Sequence, residues 1–327
     1  MSSTKLAIST SPFLRDQVST PAIMWEVVYT LIPILLAAYY YFGLSALLVS
    51  LASVAGCFAA EWAFGRPQAL RDGSALITGL LLALTLPPGF PLWMAFLGGL
   101  VAIGMGKAIW GGLGQNVFNP ALVGRAFLQA AFPAAITTWE LPDGRYDMAR
   151  GTNLAVPFYQ GEPVDGLSAA TPLAQMKFEQ VSAGYGDLLL GNTSGSLGET
   201  CALLLIVAGV YLIIRRLINW RIPAAILLTV ALASALLHGL SPVQYPTPGF
   251  MLLAGGLLLG TVYMATDLVT SPLTPKGLWI YGIGIGLLVV LIRIWGGLPE
   301  GVMYAILLMN AATPLINRFV RTRVYGR

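Results

Sequence analysis

Long apolar stretches, separated by short polar or proline- and glycine-containing breaks, make up most of the chain. A helix of about twenty apolar residues crosses a lipid bilayer. The candidates for such helices are residues 24–43, 44–64, 74–86, 92–109, 117–134, 200–218, 222–239, 249–265, 278–295 and 300–317. Only 10% of the 327 residues are charged, against about 25% in soluble domains. The sequence therefore predicts an all-α polytopic membrane protein with about ten transmembrane helices.

The distribution of charge predicts how the chain is oriented. Lysine and arginine are retained in cytoplasmic loops, and thirteen of the eighteen basic residues lie on one side if that side also holds the N-terminus. Residues 140–199 lie on the other side, with eight acidic and three basic residues. The predicted regions are a cytoplasmic segment (1–23), a first membrane half (24–136), an extracytoplasmic loop (137–199), a second membrane half (200–317) and a cytoplasmic basic tail (318–327). Because the basic residues are scattered over loops, a nucleic-acid partner is not expected.

One sequence phrase occurs twice. IWGGLGQNVFNPALVGRAF starts at Ile109 and IWGGLPEGVMYAILLMNAA at Ile294, and each follows a basic residue, Lys107 or Arg293. With five stretches in each half, this predicts a 5+5 inverted repeat, although a chance match of common membrane residues stays open. Such folds bind ligands where short or broken helices meet, which here are residues 74–86 and 249–265.

Polar residues at membrane depth are candidates for function because their burial is costly. Asn116, Asn119 and Arg125 form the richest polar cluster that enters a span, and they are candidate cofactor-binding residues. Asn119 followed by Pro120 is also typical of a helix N-terminus. Arg125 needs an acceptor, which can be a carboxylate, a carbonyl or an anionic ligand.

Asp267 and Asp72 are candidates for an ion pathway. A carboxylate at the inner end of the stretch 249–265 could replace the water around a sodium ion or relay a proton. The alternatives are an ion pair of Asp267 with Lys276, and a helix N-terminal role for Asp72. Glu61 and Glu300 are expected at the membrane interface.

The chain offers few ligands for a metal. Its two cysteines, Cys57 and Cys201, lie in apolar runs and are expected to be small buried residues, and His238 is the one histidine. Zinc and iron–sulfur sites need several such ligands. A redox cofactor is therefore expected to be organic or shared with a partner.

The predicted extracytoplasmic loop contains the run DGLSAATP, from Asp165 to Pro172. The spacing predicts a turn in which Thr171, just before the proline, is extended and presents its hydroxyl outward. No base neighbours Thr171 in sequence, so this weak nucleophile is expected to be a substrate for modification by another enzyme.

Several motifs together resemble a known family. They are RDGSALITGLLLALTLPP, GKAIWGGLGQNVFNPALVGRAF, DGLSAAT, MATD, LPEGVMYAILLMN and the basic tail after PLIN. They are similar to the RnfD component of the Rnf ion-translocating electron-transport complexes, a relative of the NqrB component of the sodium-translocating NADH:quinone reductases.

This resemblance implies a covalent flavin. In the family, a flavin transferase joins FMN through its phosphate to the last threonine of an Asp-x-x-Ser/Thr-Gly-Ala-Thr motif. Asp165, Ser168, Ala170 and Thr171 match that motif, and Ala169 replaces its usual glycine. The resemblance thus implies FMN on Thr171, and it makes a second, noncovalent riboflavin plausible.

The resemblance also implies partners and a location. The partners are a second covalent-FMN subunit, two small membrane subunits, and iron–sulfur and NADH/flavin subunits, in the inner membrane with both termini cytoplasmic. The implied function is to couple electron transfer between ferredoxin and NAD to Na⁺ or H⁺ translocation. The alternatives are a urea-type channel or carrier for small solutes and a purely structural subunit, both without flavin.

Overall fold

The computed structural model describes residues 19–65, 72–142, 151–157, 170–199, 201–242 and 244–321. Within these ranges the fold is all-helical and contains no β-strand. The helices are α1 (Thr20–Phe42), α2 (Leu44–Ala63), α3 (Ser74–Leu84), α4 (Leu92–Ile103), α5 (Pro120–Ala131), α6 (Pro133–Ile136), α7 (Pro172–Ala174), α8 (Tyr185–Leu190), α9 (Ala202–Ile214), α10 (Arg221–Leu240), α11 (Pro248–Leu253), α12 (Leu257–Leu259), α13 (Pro275–Trp295) and α14 (Val302–Phe319). π-Helical turns follow α4 (Gly104–Ala108), α7 (Gln175–Glu179) and α12 (Gly260–Met264).

The predicted helical membrane class is confirmed. Every candidate stretch contains helix, and α1, α2, α10 and α13 are each long and apolar enough to cross a membrane. The helices in the other stretches are shorter or less apolar. The count of ten crossings therefore stays a prediction.

Several helices begin with the same local signal, a capping side chain followed by proline. The side chains of Asn119, Thr171, Thr247 and Thr274 accept hydrogen bonds from backbone N–H groups in the first turns of α5, α7, α11 and α13. The proline that follows each of them has its φ angle already set for a helix, and its missing N–H leaves no donor unpaired. These starts could be predicted from sequence.

Close helix packing depends on glycine. A Cβ at Gly99 of α4 would lie 2.3 Å from the carbonyl oxygen of Ser53 in α2, and a Cβ at Gly282 of α13 would lie 2.5 Å from the Cβ of Ala225 in α10. Small residues let membrane helices approach until their backbones touch. In both halves the glycine-rich helix packs on two others, α4 on α2 and α5, and α13 on α10 and α14. An internal repeat predicts such matching helix contacts in the two halves. That the second half is inverted relative to the first stays a prediction.

The stretches 74–86 and 249–265 form the short and broken helices at the centre of the fold. Helix α3 is short and buried, as predicted. The second stretch is divided into α11, α12 and a π-helical turn, because Gly255 adopts φ +71° and ends the first helix. The two stretches meet at Gly198, whose added Cβ would lie 2.8 Å from Leu84 and 3.0 Å from Leu259. The predicted meeting of the two halves at these elements is consistent with this contact.

Candidate functional site

Two clefts lie on either side of the start of α5 and the segment that follows the helix break. The first, the Thr171 cleft, is lined by Arg125, Thr171, Glu199, Gly255, Gly256 and Glu300, among others. The second, the Asp267 cleft, is lined by Lys107, Asn116, Asn119, Thr266 and Asp267, among others. The predicted site residues thus separate into two groups.

Thr171 lies in the wall of its cleft. Its hydroxyl oxygen accepts a hydrogen bond from the Ala174 N–H at 3.2 Å and so caps α7. Only 8% of the residue is exposed, because the following Leu173 packs with Leu188 and Phe250. The expectation of a hydroxyl presented outward to solvent is therefore wrong: the side chain belongs to the cleft.

The residues before Thr171 are only partly described. Ala170 is half-buried, and its carbonyl oxygen accepts a hydrogen bond from the Ser194 hydroxyl at 2.6 Å. This bond ties the segment to the loop that leads to α9. Asp165, Ser168 and Ala169 lie outside the described residues.

Arg125 projects from α5 into the Thr171 cleft. It is 8% exposed, and its Nη1 is buried without a hydrogen-bond partner among the described residues. A buried, unpaired donor on a charged group is costly. Among the described residues, neither a carboxylate nor a carbonyl oxygen accepts a hydrogen bond from this atom.

The helix break carries a second set of charged groups that the sequence analysis did not assign to the site. Arg293 donates to the carbonyl oxygens of Met251 at 2.6 Å and Ala254 at 3.0 Å, at the end of α11. The Gly256 N–H, just before α12, donates to the Glu300 carboxylate. These side chains satisfy the backbone groups that the break leaves unpaired.

Glu199 completes the Thr171 cleft. It follows Gly198, whose N–H donates to the Leu84 carbonyl at 2.7 Å and fixes the loop against the end of α3. Burial raises the pKa of Glu199 to about 8, and the neighbouring Glu300 carboxyl acts in the same direction, while Arg125 opposes it. Sequence offered a signal: Glu199 is an acid at the edge of an apolar stretch. Glu300 was expected at the interface, yet it folds back onto the helix break.

The Asp267 cleft holds Asn116, Asn119 and Asp267. Asn119 caps α5 and also donates to the Met264 carbonyl at 3.3 Å, which joins the two membrane halves. Asp267 accepts hydrogen bonds from the Val269 N–H at 3.2 Å and the Thr270 hydroxyl at 3.3 Å. Burial raises the pKa of Asp267, although these hydrogen bonds and the nearby Asn116 amide oppose the shift.

A buried ion pair forms part of the same cleft. Lys107 donates to the Glu61 carboxylate and, at 2.7 Å, to the Ser74 hydroxyl. The Ser74 hydroxyl in turn donates to Asp72 at 2.6 Å. Asp72 also accepts a hydrogen bond from the Ser74 N–H at 2.8 Å, at the start of α3, which agrees with the helix N-terminal role considered for it. Glu61 is 0% exposed, so it is buried within the protein, and its position at the membrane interface stays a prediction; the charge of Lys107 makes the burial tolerable.

Comparison with known proteins identifies the family. The model of the NQR2, RnfD, RnfE family matches residues 7–326. The chain belongs to this family. It is 45% identical to the D component of the ion-translocating oxidoreductase complex of Stutzerimonas stutzeri, over 94% of this chain and 93% of the relative. The resemblance seen in the sequence motifs is thereby confirmed.

Two other relatives belong to complexes that are named for different translocated ions. The chain is 39% identical to the D component of the proton-translocating ferredoxin:NAD(+) oxidoreductase complex of Clostridium ljungdahlii, over 98% of this chain and 96% of the relative. It is 40% identical to the D component of the Na(+)-translocating ferredoxin:NAD(+) oxidoreductase complex of Acetobacterium woodii, over 100% of this chain and 97% of the relative. Identity alone does not distinguish the two ions.

Proposed function

We propose that the chain is the membrane subunit of an ion-translocating ferredoxin:NAD⁺ oxidoreductase complex and carries FMN as a phosphoester on Thr171. The names of its full-length relatives support membership of such a complex. The observation that carries the flavin assignment is the position of Thr171 in the wall of a cleft that also holds a buried Arg125, whose Nη1 has no hydrogen-bond partner among the described residues.

The residues of the Thr171 cleft fit a phosphoester-linked flavin. Leu122, Leu253, Leu259, Val302 and Met303 give it apolar walls, which suit a planar aromatic ring system. Arg125 supplies a charged donor for the phosphate. Bound FMN supplies reversible electron transfer, and the protein's part is to hold it, exclude water and set the charge around it.

The segment after the helix break is the proposed route of coupling to ions. Gly256, Leu259 and Met264 line the Thr171 cleft, whereas Val262 and Asp267 of the same segment line the other one. Its π-helical turn is a feature that occurs often at functional sites. A change of charge in one cleft can move ions through the other only if it shifts such an element between two states. Asp267 and Asp72 are the proposed ion-pathway residues, for Na⁺ or H⁺.

The proposed function implies partner subunits and an orientation in the membrane. The partners are a second covalent-FMN subunit, two small membrane subunits, iron–sulfur and NADH/flavin subunits, and a flavin transferase that modifies Thr171. Residues 137–199 face the periplasm and both termini the cytoplasm of an inner-membrane protein. We also propose a noncovalent riboflavin near Asn116 and Asn119, because that cleft has mainly apolar walls with a few polar side chains.

Membrane vesicles that contain the whole complex test the function. We expect Thr171→Ala to abolish ferredoxin-dependent NAD⁺ reduction and the ion uptake coupled to it. Thr193→Ala, a change of the same kind in the same cleft lining, should preserve both. A Thr171→Ala complex with unchanged electron transfer and ion uptake would favour a solute channel or a structural subunit instead.

A further inference from the structure

Two carboxyl groups lie side by side in the Thr171 cleft. A Cβ placed on Gly256 would have Glu300 Oε1 at 2.7 Å and Glu199 Oε1 at 3.1 Å, so both oxygens face the same point of the helix break. The Glu300 carboxyl raises the pKa of Glu199, as a close acidic neighbour does. Two close carboxyl groups can hydrogen-bond to each other only if one of them carries a proton.

The surrounding charges do not neutralise the pair by direct contact. Arg125 from α5 lines this cleft, and Arg293 from α13 lines a neighbouring cavity behind the helix break. Among the described residues, neither forms an ion pair with either carboxyl. Both Arg293 Nη atoms donate to carbonyl oxygens. Tyr304 of α14 contributes a hydroxyl to the lining. Close, poorly hydrated carboxyls that lack direct ion pairs retain a proton between them.

Arg125 gives independent evidence that the cleft accepts negative charge. It is more than nine-tenths buried, and its Nη1 is unpaired. With one carboxyl protonated, two guanidinium groups, Arg125 in the cleft and Arg293 behind the helix break, lie near a single carboxylate. An anionic group that enters, or an electron that is added, is therefore stabilised there.

We propose that Glu199 and Glu300 form a proton-binding pair that holds one proton and takes up a second when the redox group on Thr171 is reduced. This inference rests on the proposed function. The electron comes from the proposed electron transfer, and the proton comes from the surrounding aqueous solution. An O–H bond forms at the second carboxyl on reduction and breaks on reoxidation, so the charge of the cleft is the same in both states.

The first experiment needs no flavin. Infrared spectra of the full-length Thr171→Ala chain in lipid nanodiscs, with ¹³C-labelled glutamate, would follow the C=O stretch of protonated glutamate as the pH rises. We expect a band that disappears with a midpoint near pH 8, the value to which the pKa of Glu199 is raised. Glu199→Gln and Glu300→Gln should each remove it, while Glu179→Gln, at an exposed position, should preserve it. The labelled parent chain still decides the matter if a variant fails to fold. A parent chain without such a band overturns the proposal.

The second experiment uses the flavin-loaded chain. Proton uptake on chemical reduction, measured with a pH indicator in weak buffer, should be smaller in Glu199→Gln and Glu300→Gln than in Glu179→Gln and the unchanged chain. Equal uptake in all four would overturn the proposal. A chain that carries no flavin would instead overturn the proposed function and this redox step together, while the infrared result would still show whether the pair binds protons.

Discussion

Arg125 shows most directly how one side chain sets the chemistry of the Thr171 cleft. Sequence alone left its role open between structure and ligand binding. The structure shows a buried guanidinium with an unpaired Nη1 beside Glu199 and across a cleft from Thr171. A cation in this position stabilises added negative charge.

Replacing Arg125 should therefore change the redox potential of a flavin on Thr171. We expect Arg125→Gln to make reduction less favourable, by about 1 kcal/mol per electron for a charge at this range. Redox titration of the flavin absorbance would measure the shift. Lys276→Gln, which removes an exposed positive charge, serves as the control. An unchanged potential in Arg125→Gln would show that the flavin does not lie near this residue.

Glu199 should make stability depend on pH. Its pKa is raised in the folded protein from 4.5 to about 8, so the folded state binds the proton more tightly than the unfolded state. The resulting stabilisation is fully present below pH 4.5 and is lost as the pH rises through about 8. Thermal unfolding of the detergent-solubilised chain should show a melting temperature that falls over this range, and Glu199→Gln should flatten the decrease. Equal slopes in both proteins would contradict the assignment.

Among the secondary-structure elements, the contact between α2 and α4 depends on a glycine at the point of closest approach. A Cβ at Gly99 would lie 2.3 Å from a backbone oxygen, so Gly99→Ala must push the helices apart. We expect a loss of about 1–3 kcal/mol in stability. The same substitution at Gly186 of α8, where an added Cβ meets no atom within 4 Å, should have little effect. Comparison of the two melting temperatures tests the packing, and equal values would refute it.

The pair Lys107–Glu61 connects α2, α3 and the turn after α4. Because both groups are buried, removal of one leaves an unpaired charge, and Lys107→Met should destabilise the protein by about 3–5 kcal/mol. Replacing both residues by Met removes both charges and should recover much of that loss. Denaturation of the two variants measures the difference. A double variant as unstable as the single one would show that packing, not charge, dominates here.

For the whole molecule, the positions of helices could be predicted well, since apolar length and Asn-Pro or Thr-Pro starts are local signals. The short and broken stretches, 74–86 and 249–265, were predicted to lie where the two halves meet, and they are in contact at Gly198. The position of the break, at Gly255, was not predicted, because residues 249–265 form a nearly continuous apolar run. The sequence does not reveal that Gly255, one of two adjacent glycines in this run, adopts a positive φ angle.

The composition of the site could be predicted only in part, because it depends on long-range contacts. Thr171 and Arg125 were candidates from sequence, and both line one cleft. Glu300 returns to the Gly256 N–H, which is 44 residues away in the chain. No local pattern contains that contact. The residues that form the cleft could therefore be identified only from the tertiary structure.

The central claim is that Thr171 carries flavin in the Thr171 cleft. The measurement that tests it most directly is the intact mass of the chain after co-expression with a flavin transferase, together with flavin fluorescence of the denatured protein. We predict a mass increase equal to one FMN phosphoester, which is absent in Thr171→Ala and present in Thr193→Ala. An unmodified chain, made beside a transferase that modifies another substrate, would contradict the account.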